Sequence, residues 1–113
     1  MGLAASQARF LSLTARKSDI EFKGQQLNQE RTQNAYLMGD LVQQLTNDPT
    51  MENTDPTKYG LIENQIILAQ SIDRNLELDL KNVDTQHNEV QTETDAVKKV
   101  IDKNVEMTFK TFA

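Results

Sequence analysis

The sequence predicts an all-α protein, a long antiparallel helical hairpin that assembles further through coiled-coil-like packing. Three observations carry this expectation. In the first segment Leu13, Ile20, Leu27, Asn34 and Leu41 recur every seven residues, a spacing that puts them on one face of a helix and on both faces of a strand. In the second, Leu76, Leu80, Val83, His87, Val90, Thr94, Val97 and Ile101 alternate in steps of three and four, as in a heptad seam. Between the two, the stretch from Asn47 to Gly60 holds both prolines and is dense in Asn, Asp and Thr.

The first helix is expected over about residues 4–46, with Phe10, Met38 and Leu45 widening its apolar stripe. Gly24 costs about 1 kcal/mol relative to alanine in a helix interior. It marks either a close helix approach or a tolerated weak point. Asn34 interrupts an otherwise apolar series, as Thr94 does in the second segment. Polar residues at such positions fix register or partner number in coiled-coil cores, and both are candidates for that role or for ordinary half-exposed positions.

The connector is expected over residues 47–60. Pro49 ends the first helix at or before Asp48, because the residue before a proline is pushed out of the α region. Asp55 and Pro56 read as an N-cap and first helical position, since the carboxylate accepts a backbone N–H and proline has none to satisfy. Gly60 leaves the start open, and the second helix is expected over about residues 61–110. The simplest reading of the connector is a turn exposing Met51 and Tyr59.

Upstream of the second seam, Leu61, Ile62, Ile66, Ala69, Ile72 and Asp73 form a broader face. Downstream, Val105, Phe109 and Phe112 continue an apolar stripe displaced by one position after Ile101, as a 3.6-residue helix favours. At 1.5 Å per residue the helices span roughly 60 and 75 Å, similar lengths that suit an antiparallel hairpin. Two helices leave apolar surface uncovered near residues 61–72 and 105–112. Self-association is therefore expected, with the two seams and Val105, Phe109 and Phe112 as the packing and assembly residues.

At 113 residues the chain is sized for a single domain, residues 1–113. Aromatic residues are 5% and tryptophan is absent, too little for a thick core but enough for helix-on-helix packing, where each helix buries one stripe. The net charge of -5 is uneven: residues 1–46 sum to +1, residues 61–113 to -4 and the connector to -2. No dense basic stripe or basic-aromatic platform is present, which disfavours nucleic acid as a partner. No apolar run reaches the length of a membrane span, and Arg9 interrupts the short apolar start, so no secretory signal is read there. The absence of cysteine suits the cytoplasm and also an exported protein that does without disulfides. Met1-Gly2-Leu3-Ala4-Ala5-Ser6 matches the minimal N-myristoylation pattern, a short match of low specificity that leaves a lipid-linked peripheral protein as a minor alternative.

Nothing in the sequence points to catalysis. His87, the only histidine, has no Cys, second His or ligand spacing near it for a metal. It reads as a seam residue, and as the side-chain type that changes charge near neutral pH it raises the question of pH-dependent assembly. Glu77–Lys81 and Asp95–Lys99 are spaced as i,i+4 ion pairs and Asp102–Glu106 as a like-charge pair. No phosphate loop or nucleophile elbow is present. The expectation is a protein that is not an enzyme and takes no cofactor.

The opening from Gly2 through Lys17 with Gly24-Gln25-Gln26-Leu27-Asn28-Gln29, and the ending from Val97 through Glu106 with Phe109-Lys110-Thr111-Phe112, resemble the termini of a group of small uncharacterised bacterial helical proteins. The paired terminal helices resemble the organisation of flagellar axial proteins, and the proline-marked hairpin is similar to type III secretion needle subunits. The chain is longer than a needle subunit, has a wider connector, and lacks the large central domain of many flagellar proteins. The resemblance implies subunit packing through the stripes from Leu13 to Leu41 and from Leu76 to Phe112, export without a cleaved signal to an extracellular or secretion-associated location, and secretion or assembly proteins as partners. A soluble coiled-coil scaffold or chaperone forming a discrete oligomer is the competing expectation, with a cytoplasmic location as the alternative to export.

Overall fold

The structure, a computed structural model, describes residues 2–112, Phe112 through its backbone alone. It is all-α and built mainly of two long antiparallel helices that pack against each other: α1 (Leu3–Asn47), the single turn α2 (Met51–Thr54) and α3 (Pro56–Phe112). The chain divides into two compact units, one of Met1–Gly24 with Asn82–Ala113 and one of Gln25–Lys81. Each pairs a stretch of α1 with a stretch of α3.

In the first unit Ser6, Leu13 and Ile20 of α1 and Val83, Val90 and Val97 of α3 are buried, every one seven residues from the next in its helix. Phe10, Lys17 and Gly24, with Leu80's successors His87 and Ile101, form a half-buried second row, and Thr94 in that row is buried. A strict seven-residue repeat keeps the same face toward the partner helix, the condition for knobs-into-holes packing and a left-handed supercoil. Val90 is the deepest large side chain, 1% exposed.

The second unit repeats the pattern with Leu27, Asn34 and Leu41 facing Ile62, Ala69 and Leu76 as its buried row, and Leu80 half-buried. Each buried Leu, Ile or Val side chain contributes about 1.5–3 kcal/mol. Its closed end is sealed by Leu41, Met51 and Ile62, with Leu45, Tyr59 and Ile66 packed against them.

The connector differs from expectation. α1 ends at Asn47 and α3 already begins at Pro56, five residues ahead of the expected start. The cause is the cap: an Asp55 carboxylate oxygen accepts the Lys58 backbone N–H at 3.2 Å, and the Tyr59 N–H reaches the Asp55 carbonyl at 3.0 Å, so the helix is nucleated at Pro56 and continues through Gly60. Upstream, Asp48 takes both the backbone N–H and the hydroxyl of Thr50, an Asx turn that redirects the chain after α1. The turn of α2 then brings Met51 inward. Met51 is buried rather than exposed, and Tyr59 is half-buried.

Candidate assembly interface

In the second unit the seam carries a polar layer. The Asn34 amide donates to the Ala69 backbone carbonyl at 2.7 Å, a buried bond between α1 and α3. One turn away, the Arg31 Nε–H donates to Asp73 at 2.9 Å, and Glu77 lies 4.0 Å from the same guanidinium. Hydrogen bonding to Asp73 and then its charge raise the Arg31 pKa above its already high ordinary value. Asp73, read from the sequence as part of a broader face with Leu61, Ile62, Ile66, Ala69 and Ile72, is thus a partner of this arginine.

In the first unit, His87 Nε2 lies 3.0 Å from Glu21 Oε1, a hydrogen bond from the seam to the α1 flank. Arg9 and Glu93 stand 4.0 Å apart, both exposed. The Thr94 hydroxyl donates to the Val90 carbonyl of its own helix at 2.7 Å. That bond satisfies the hydroxyl without crossing to α1, so Thr94 does not share the inter-helix link made by Asn34. Of the expected i,i+4 pairs, Glu77–Lys81 is present at 3.6 Å, while Asp95 accepts from Gln91. Pairs this exposed contribute little.

Other expected packing residues stand elsewhere. Val105 and Phe109 are exposed, and the Phe112 side chain lies outside the described residues. The stripe does not shift after Ile101. Asn104, seven residues after Val97, is the next half-buried position, and every residue from Val105 to Thr111 is exposed. The seam keeps its seven-residue phase while α1 is alongside, and α1 begins at Leu3. Upstream, Leu61 and Ile72 are also exposed, while Ile62, Ile66 and Ala69 join the seam.

Two grooves open beside the seam. In the first unit Phe10, Leu11 and Ile101, with Gln7, Lys98 and Asp102, line about 460 Å³. In the second, Leu37, Leu68 and Ile72, with Leu41, Gln65 and Ala69, line about 210 Å³. The latter suits one large side chain and is smaller than a typical small-molecule cavity.

Ser6 went unread in the sequence, and Met51 was read as exposed. Ser6 is fully buried, and its hydroxyl has no hydrogen-bond partner. Its signal was position, seven residues ahead of Leu13. Met51 carried none, since the connector has no period. Among the described residues no cluster of three or more His, Cys, Asp or Glu side chains is placed to hold a metal ion, and no helix is long and apolar enough to cross a membrane. The chain matches no protein-family model, no curated protein and no solved structure.

Proposed function

We propose that the chain is a non-enzymatic structural subunit that self-associates through its helix flanks into a bacterial helical assembly, a filament or secretion-associated structure outside the cytoplasm. The observation that carries this is the apolar surface left beside buried seams. Leu37, Leu61, Leu68 and Ile72 in the second unit and Val105, Met107 and Phe109 in the first are exposed, although the adjoining seam rows are buried. Clustered apolar surface of this kind marks an interaction site, and further helices laid along such flanks complete a bundle core. The resemblance of both termini to small bacterial helical proteins supports the bacterial setting.

Sedimentation velocity across a wide concentration range, with electron microscopy of the concentrated protein, tests this. Ordered polymers or a growing size distribution are expected. A chain that stays monomeric at the highest concentrations, alone and with native partners, overturns the reading.

A closed oligomer acting as a scaffold or chaperone is the second reading. The Asn34 to Ala69 bond and the Arg31–Asp73 pair favour it, because polar groups at a seam restrict register and partner number. A single sharp sedimenting species independent of concentration would select it over open polymerisation.

A further inference from the structure

We infer that the last two turns of α3 are a docking segment whose occupant is the second unit of another copy of this chain. This rests on the self-assembly reading and specifies which surfaces meet. Past Asn104 the helix continues to Phe112 with no buried position through Thr111. It presents Val105 and Phe109, four residues apart on one face and 50 and 76% exposed, with Met107, 58% exposed, on the other side of the helix. A helical stretch without a packed face gains little from propensity alone. Its apolar residues stand where a partner would cover them.

Charge selects the partner. Residues 25–81 hold four basic and nine acidic side chains, so the whole net charge of -5 belongs to the second unit. The docking turns themselves carry one base and one acid, Lys110 and Glu106, and the positive excess lies in the stretch just before them, residues 98–104, where Lys98, Lys99 and Lys103 stand against Asp102, a net +2. Lys110 and Glu106 pair within the helix at 3.2 Å, which leaves the excess positive. Two copies meeting through their second units would set like charge on like charge, as would two α3 ends meeting each other. An α3 end against a second unit brings opposite charges together.

The second unit offers a matching surface. Leu61, Leu68 and Ile72 recur at spacings of seven and four, one face of α3, and Leu37 joins Leu68 and Ile72 around the 210 Å³ groove. That groove has room for one aromatic ring, and among the described side chains of the α3 end Phe109 is the most exposed large apolar one. A surface of one unit meeting a different surface of the next copy is heterologous. Such contacts close into rings or continue as filaments.

The chain has no cysteine, so single thiols report proximity without background. Copies carrying Thr108→Cys are mixed with size-tagged copies carrying Gln65→Cys, both exposed positions, and oxidised while sedimentation velocity follows association. The mixed 108–65 product is expected several-fold above either homotypic product. The double variant Lys103→Glu/Lys110→Glu is expected to weaken association roughly tenfold, with helicity checked by circular dichroism, and added salt to weaken the wild type. Association with only homotypic crosslinks overturns this docking and leaves self-assembly standing. Failure to associate at all overturns both. Recovery of the monomer on phosphatidylglycerol vesicles, lost on truncation after Asn104, would overturn it in favour of a lipid surface as the occupant.

Discussion

The amide of Asn34 reaches the backbone carbonyl of Ala69 at 2.7 Å because residue 69 carries only a methyl group; Ala69 is itself 1% exposed. Size and hydrogen bonding are therefore coupled in this layer. Ala69→Leu is expected to destabilise by about 2–4 kcal/mol, by crowding the seam and by leaving a buried amide without its partner. Asn34→Ala alone should cost about 1 kcal/mol, and the double variant less than the sum of the two. Denaturant unfolding of the four proteins measures the coupling, and simple additivity would contradict it.

Val90→Asp places an unpaired carboxylate at the deepest large side chain of the first unit. A loss of about 3 kcal/mol or more is expected at neutral pH. Unchanged thermal unfolding would show that residue 90 is not buried in solution.

Ser6→Ala removes a buried hydroxyl that has no partner and leaves the methylene contacts in place. The variant should be more stable by about 1 kcal/mol. Ser6→Leu, in contrast, tests whether the layer has spare room, and a loss through overpacking is expected.

At Gly24 an added Cβ would stand 3.4 Å from Val83 Cγ1, an ordinary contact. Gly24→Ala is expected to stabilise by about 0.5–1 kcal/mol through helix propensity and a less flexible unfolded chain. Destabilisation instead would mean that the helices approach more closely here than the backbone spacing indicates.

Asp73→Asn removes the charge that, with its hydrogen bond, raises Arg31. A base whose folded pKa is raised contributes stability that is complete below its unfolded pKa and is lost only as pH rises through the folded one. For an arginine that window lies in strong alkali. The stability difference between wild type and Asp73→Asn attributable to Arg31 is expected to stay flat between about pH 6 and 9 and to shrink with salt. A thermal-shift series over that range, at low and high salt, checks both.

Much of the fold was legible because burial follows a period. The seven-residue recurrence of Leu13, Ile20, Leu27, Asn34 and Leu41, and the three-four alternation from Leu76 to Ile101, coincide with the buried and half-buried rows of the two units. What escaped has physical causes. Met51 is buried by a single-turn helix too short to show a period. The partner of Asn34 is a backbone carbonyl, an acceptor that every residue carries and no pattern marks. Val105 and Phe109 have the right residue types for a seam, but whether such residues face inward depends on where the other helix starts, which lies some hundred residues away in sequence. The assembly surfaces are harder still, since apolar flanks look alike whether a neighbour covers them or not.

The seven-residue spacing also restricts how the length of such a chain can change. Within the second unit, adding seven residues between Leu27 and Asn34 would add one whole layer to α1, and α3 would stay in step only if seven more entered between Ala69 and Leu76. A number that is not a multiple of seven would turn part of a seam toward solvent. Variants of this architecture should therefore differ in paired heptads.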